Sequence, residues 1–74
     1  MKVREDYDLT KLKYLGFMYS DDNGIYSIYD SYGLSGEVLE VKSWNRELKI
    51  ALNNPKGKAT TAFFKMIKDG IIEI

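Results

Sequence analysis

The sequence predicts an α+β fold: an antiparallel β-meander of about four strands packed on one C-terminal helix, with a short N-terminal helix. Three observations predict it. An Asn-Gly turn separates two runs with aromatic residues, residues 47–52 alternate in the side chains that point to one face, and an amphipathic stripe follows the only proline. A chain of 74 residues is long enough for one domain, which we expect to span residues 1–74.

The N-terminal helix is predicted over residues 9–15. Asp8 can cap its first turn, because an aspartate carboxylate accepts backbone N–H groups there. Leu9, Leu12 and Leu15 recur every three residues, and Gly16 can end the helix in a left-handed conformation. Residues 17–19 then follow as the first predicted strand.

The meander continues with strands over residues 25–29, 37–42 and 47–52. Asn23-Gly24 predicts a type I′ turn, which needs positive φ at both central residues. Residues 31–36 are predicted to be a loop, and residues 43–46 a second tight turn. Glu37 and Glu40 lie at an odd spacing on one strand, so their side chains should point to opposite faces and cannot form a catalytic carboxylate pair.

A break at residues 53–57, which contains Pro55, precedes the predicted helix over residues 58–69. Its apolar stripe, which should cover one face of the sheet, comprises Ala59, Phe63, Met66 and Ile67. Phe64 falls on the flank of that stripe. Gly70 is a typical C-cap signal, and residues 71–74 are too apolar for a free tail. We expect them to dock as an edge strand.

Composition excludes several classes of function. The chain has no histidine and no cysteine, so it lacks the commonest general base, the thiolate nucleophile and the thiolate zinc ligand. We therefore expect no enzyme activity, no cofactor and no metal. The absence of cysteine also favours a reducing cytoplasm. No signal peptide and no apolar run of membrane-spanning length are apparent, so we expect no membrane partner.

Tyrosine is the most unusual component of the sequence. Five of the six tyrosines fall between residues 14 and 32. Cross-strand packing is the plainest explanation, but tyrosine and tryptophan also anchor many protein interfaces. A helix covers only one face of a sheet, so an aromatic patch could stay exposed on the other. The candidate partner-binding residues are Tyr26, Tyr29, Tyr32 and Trp44. The expected partner is another protein or a second copy of this chain.

A nucleic-acid interface is the alternative. Net charge is zero, but residues 1–40 carry a net −4 and residues 41–74 a net +4. The order of elements, with Lys56-Gly57-Lys58 opening the last helix, is similar to that of double-stranded-RNA-binding domains. That resemblance implies phosphate contacts from the basic C-terminal half. The candidate residues are Lys49, Lys56, Lys58, Lys65 and Lys68.

Three segments give a broader resemblance. Leu15-Gly16-Phe17, a tyrosine-rich hairpin and a helix that ends in Ile67-Lys68-Asp69-Gly70-Ile71-Ile72-Glu73 are similar to small uncharacterised phage and prophage proteins of low-GC Gram-positive bacteria. The resemblance implies a cytoplasmic accessory protein that binds a host protein. The sequence names no reaction, so a protein-binding module is its leading interpretation.

Overall fold

The computed structural model describes residues 1–30 and 36–73, and it confirms the predicted α+β class. Tyr32 and the rest of residues 31–35 lie outside the described residues, as does Ile74. Its elements are β1 (Lys2–Val3), a 3₁₀ helix (Leu9–Leu15), β2 (Met18–Ser20), β3 (Ile25–Asp30), β4 (Glu37–Lys42), β5 (Leu48–Ala51), α1 (Lys58–Lys68) and β6 (Ile72–Glu73).

Strands β2 to β5 form the predicted antiparallel meander, in the order β2-β3-β4-β5. The predicted docking of the C-terminus is also found, because β6 pairs with β1 in a separate two-stranded sheet. Strand β1 was not expected. It lies beside the start of β5, where the Val3 amide donates to the Arg46 carbonyl over 2.9 Å. The two chain ends thereby close one side of the fold.

The N-terminal helix has the predicted bounds but winds as a 3₁₀ helix. A 3₁₀ helix has three residues per turn, so the three-residue spacing of Leu9, Leu12 and Leu15 places them in one row. Asp8 caps the helix by accepting the Thr10 amide over 3.0 Å, and Gly16 ends it with φ of +100°. Both cap predictions are confirmed.

The turn between β2 and β3 differs from the predicted type I′ turn. Its four residues, 21–24, connect the facing pair Ser20 and Ile25. Only Gly24 has a positive φ, and the Asn23 carboxamide accepts the Ile25 amide over 3.2 Å instead. A four-residue loop reverses the chain with a single left-handed residue, whereas a two-residue type I′ loop requires two.

Helix α1 ends as the sequence predicts. The Ile71 amide donates to Met66 and the Gly70 amide to Ile67, an arrangement known as a Schellman motif. The predicted stripe is correct for Ala59 and Met66, which are fully buried, whereas Phe63 is only partly buried. It is wrong for Ile67, which is 40% exposed, because Ala62 lies closer to the centre of the buried face.

Among residues 1–30 and 36–73, the core lies on one side of the meander. Helix α1 packs on β3 and β4, and the 3₁₀ helix buries Leu12 in the same hydrophobic cluster. Ile28, Leu39 and Val41 reach this cluster from the sheet. The short helix therefore shares the covered face with α1, and no described helix covers the opposite face.

A buried carboxylate joins β4 to the start of α1. Glu37 is only 2% exposed, and its Oε1 accepts the amides of Asn53 and Asn54 over 3.2 and 2.6 Å. The same oxygen accepts the Thr60 hydroxyl over 2.7 Å. Gly57, the N-cap of α1, makes no side-chain cap of its own, and a Cβ there would overlap the Glu37 carboxylate. Glu37 thus takes the place of a local cap.

This hydrogen bonding lowers the pKa of Glu37. The Thr60 hydroxyl is the largest cause, and the amides of Asn54 and Asn53 add to it against the desolvation that burial imposes. All three donors favour the charged carboxylate. Among the described residues, Glu37 Oε2 has no hydrogen-bond donor, so the charge depends on the contacts of Oε1.

The variant Thr60→Val tests this connection. It keeps the volume of the side chain but removes the hydroxyl donor, so we expect the free energy of unfolding to fall by about 1–3 kcal/mol. Thr61→Val is the matched control on the same helix, because its hydroxyl donates only to the Gly57 carbonyl over 2.9 Å. Chemical denaturation checks both variants, and equal losses would contradict the proposed role of Thr60.

The charge of Glu37 predicts a pH dependence. A lowered pKa contributes stability above the ordinary value of 4.5, and the contribution is lost as pH falls through the folded-state pKa. We expect Glu37→Gln to be less stable than the natural chain at pH 7, with a difference that shrinks on acidification. Denaturation at a series of pH values measures it. A pH-independent difference would show that the charge makes no contribution.

Candidate functional site

The side of the meander opposite α1 is uncovered, and we call it the open face. Strand register assigns the side chains to it, since facing residues of neighbouring strands point the same way. Its members are Met18 and Ser20 of β2, Ile25, Ser27 and Tyr29 of β3, Val38, Glu40 and Lys42 of β4, and Lys49 and Ala51 of β5. The open face therefore mixes apolar side chains with charges of both signs.

Tyr29 is the aromatic residue of the open face. It is 62% exposed and lies opposite Val38, and its hydroxyl donates to Glu40 over 2.5 Å. This hydrogen bond is the largest cause that raises the Tyr29 pKa, because it needs the phenol proton and because ionisation would place a second negative charge beside Glu40. The bond connects the Tyr29 side chain to the neighbouring strand.

Two further apolar side chains extend the exposed surface. Met18 on the edge strand β2 is 77% exposed, and Trp44 in the β4–β5 turn is 63% exposed. The Trp44 ring lies beside the other hairpin turn, because a Cβ added at Gly24 would be 3.5 Å from its Cζ3. Trp44 therefore packs against the β2–β3 turn on one side and is exposed on the rest of its surface.

Tyr26 does not share this surface. It faces the covered side, where its ring packs on that of Tyr19 with centroids 4.6 Å apart, and burial raises its pKa. Of the four predicted partner-binding residues, Tyr29 lies on the open face and Trp44 is exposed in the β4–β5 turn. Tyr26 packs at the rim of the core instead. Tyr32 lies outside the described residues.

The predicted lysines divide between two sides of the molecule. Lys56, Lys58 and Lys65 line a groove of about 590 Å³ between the end of the 3₁₀ helix and α1, on the covered side. Lys49 lies on the open face opposite Glu40, and Lys68 is exposed on α1 without lining the groove. The five lysines thus do not form one surface.

The start of α1 is already occupied by a carboxylate. Helix N-termini present unpaired N–H groups that attract anions. The sequence analysis did not anticipate that the buried Glu37 side chain lies against Gly57 there and accepts the Thr60 hydroxyl. Glu37 does share the alternation of Leu39 and Val41, and that pattern was the available signal. The groove therefore has to attract an anion through its side chains.

Sequence reasoning also missed three exposed apolar residues. The sequence analysis placed Met18 in a strand but did not say which face of the sheet its side chain occupies. Tyr14 and Phe64 are 78% and 60% exposed. Tyr14 stands at the end of the 3₁₀ helix beside the groove, where Lys13 Nζ lies 5.3 Å from its ring centroid. The sequence indicated exposure for Phe64 alone, because Phe64 falls on the flank of the apolar stripe of the predicted helix.

The remaining site classes find no support in residues 1–30 and 36–73. In that part of the chain, no three acidic side chains gather closely enough to hold a metal ion, and no helix has the length and apolarity to cross a bilayer. In comparisons with known proteins, no family model, no curated protein and no solved structure matches the chain.

The Tyr29–Glu40 contact can be tested by titration. We expect Glu40→Gln to bring the Tyr29 pKa down towards the ordinary value of 10.0, since the charged acceptor is lost. The bond contributes stability below that value, and the contribution is lost as pH rises through the raised pKa. NMR of the Tyr29 ring carbons follows the titration. Glu47→Gln, in the β4–β5 turn, is the control and should leave the Tyr29 pKa unchanged. An unchanged pKa in Glu40→Gln would contradict the contact.

Proposed function

We propose that this chain is a non-enzymatic protein-binding module that meets its partner through the open face and Trp44. The observation that carries the proposal is the one-sided core. Both helices cover the same face of the meander, so Met18, Tyr29 and Trp44 remain largely exposed on or beside the other. Tyr29 stands at the Val38 end of the open face and Trp44 beside Gly24 at the other end. Large exposed apolar side chains are typical of protein interaction sites when one partner can contact them together.

The residue types support a protein partner. Tyrosine and tryptophan are enriched among interface residues that dominate binding energy, and methionine adapts to irregular apolar surfaces. Glu40, Lys42 and Lys49 supply both signs of charge around Tyr29. The register places Glu40 and Lys49 in the central row of the face and Tyr29, Val38 and Ala51 in the next row. A partner can therefore form ion pairs and bury apolar groups on the same face.

The size of the open face limits the interface. From strand spacing and rise, the four strands cover about 300 Å², whereas a stable interface buries about 800 Å² on each partner. The partner therefore has to contact Trp44 and a sheet edge as well, or bind weakly. The outer edge of β2 is available, because β2 pairs only with β3 among the described strands.

The composition of the chain supports two further parts of the proposal, that the module is not an enzyme and that it is cytoplasmic. Without histidine or cysteine, an enzyme would depend on carboxylates, lysines and tyrosines, and Glu40 and Lys49 face each other on an open surface. The absence of cysteine supports a cytoplasmic location. The resemblance to phage and prophage proteins supports an accessory role in which the partner is a host protein.

Nucleic-acid binding is the weaker candidate. It requires the basic residues to form one surface, and only Lys56, Lys58 and Lys65 do so. Non-specific phosphate binding depends on the number of phosphates neutralised, and three lysines on a chain of zero net charge provide few. We therefore do not advance nucleic-acid binding as the function.

Paired surface variants test the proposal. Tyr29→Ser and Trp44→Ser remove exposed aromatic rings from the proposed surface, and Tyr14→Ser removes one from the opposite side of the sheet. We expect a host protein captured by the natural chain to be retained by Tyr14→Ser. The loss of an anchor side chain should weaken its affinity for the other two variants about tenfold or more.

Two measurements complete the test. Sedimentation at two protein concentrations shows whether the partner is a second copy of this chain, and thermal melting confirms that each variant is folded. The proposal would be refuted if Tyr14→Ser no longer bound the partner while a variant carrying both Tyr29→Ser and Trp44→Ser still did. That result would place the binding surface on the helical side of the sheet.

A further inference from the structure

We propose that the groove between the 3₁₀ helix and α1 binds a small amphipathic anion, namely an organic phosphate or carboxylate with an apolar body. This site lies on the covered side of the sheet and is independent of the protein interface proposed for the open face. The inference rests on three features of the groove: its size, its apolar floor and the sign of its charges.

The floor of the groove is apolar. Leu15 from the 3₁₀ helix, Ile28 from β3 and Ala62 from α1 line it, and Gly16 contributes no side chain. Ile28 and Ala62 belong to the hydrophobic core, so the floor of the groove is continuous with the buried interior of the fold. A volume of about 590 Å³ lies within the range of small-molecule sites.

The charged side chains that line the groove are all lysines. Lys56 and Lys58 stand near the start of α1, and Lys65 stands two turns further along the helix. The described residues contribute no carboxylate to the lining. Lys65 pairs with Asp69 over 3.2 Å, but both side chains are exposed, and an exposed ion pair is worth little. The ammonium group can therefore turn to a bound anion at small cost.

Tyr14 forms an exposed wall beside the apolar floor. Its ring can stack on an aromatic ligand, and the aliphatic floor can equally accept an acyl chain. The shared chemistry is an anionic head among the lysines and an apolar body on Leu15, Ile28 and Ala62. Burial of about 60 Å² of such a body would strengthen binding roughly tenfold over the anionic head alone.

A small ligand fits the groove better than a nucleic acid does. The groove is concave and has lysines from only three positions, whereas Lys49 lies on the opposite side of the sheet and Lys68 lies outside the groove. Phosphates along a nucleic-acid strand would need cations in an extended row. The ligand is therefore expected to place one charged group near the lysines and to enter the groove with the rest.

NMR titration of the full chain tests the site with four probes: 1-naphthyl phosphate, octyl phosphate, inorganic phosphate and 1-naphthol. We expect saturable shifts at Leu15, Gly16, Ile28 and Ala62 with at least one of the two organic phosphates. That phosphate should bind about tenfold more tightly than inorganic phosphate. Comparison of the naphthyl and octyl compounds identifies an aromatic or an acyl body, and neutral 1-naphthol should bind more weakly than its phosphate.

Lysine variants separate this site from general attraction of anions. Lys56→Ala and Lys65→Ala should each weaken binding about threefold, and the double variant about tenfold. Lys68→Ala, on the same helix but outside the groove, is the matched control and should bind as the natural chain does. Circular dichroism confirms that each variant is folded.

Three outcomes would overturn the proposal. The first is the absence of saturable shifts up to about 10 mM of either organic phosphate. The second is a set of shifts centred on Tyr29 and Val38 of the open face, which would place the ligand on the other side of the sheet. The third is a chain that binds a single-stranded oligonucleotide but not the small phosphates, with Lys68→Ala and Lys56→Ala weakening that binding equally. This result would show a diffuse basic surface in place of a groove site.

Discussion

The buried carboxylate of Glu37 is the contact on which the arrangement of layers depends. A carboxylate removed from water is costly unless hydrogen bonds replace the lost solvation, and Oε1 receives three of them from Asn53, Asn54 and Thr60. Those donors belong to the turn after β5 and to the first turn of α1. One side chain of β4 therefore fixes where the chain leaves the sheet and where the helix begins. Gly57 accommodates this, because any larger residue would collide with the carboxylate.

The position of α1 then decides which face of the sheet is left uncovered. Ala59 and Ala62 allow the helix to approach β3 and β4 closely, and Met66 fills the space between them. The 3₁₀ helix adds Leu12 to the same cluster and does not cover the second face. Among the described residues, the uncovered face is therefore a consequence of where the two helices pack.

Local chemistry predicted most of the fold, because caps and turns act over a few residues. Asp8, Gly16 and Gly70 each have the predicted role, and no bound of a meander strand differs from its predicted position by more than one residue. The failures are non-local. Strand β1 has two residues, too few for a pattern, and it forms only because β6 and Arg46 lie beside it. Glu37 shares the alternation of Leu39 and Val41, but a carboxylate is expected in solvent unless its donors are known.

The candidate sites were harder to predict, because each requires knowledge of which residues lie beside one another across elements. Alternation separates Tyr26 from Tyr29, yet it cannot say which of the two faces a helix covers.

The sequence likewise cannot say which charged side chains share a surface. The basic half of the chain suggested one phosphate-binding surface, but β5 turns Lys49 to the open face. Lys56 before α1, and Lys58 and Lys65 on it, line the groove instead. Neutral overall charge is thus compatible with one strongly basic groove, because most acidic side chains, such as Glu5, Asp21 and Asp22, lie elsewhere. Ile28 and Tyr29 are adjacent in β3, and the alternation of that one strand directs the first to the groove and the second to the open face.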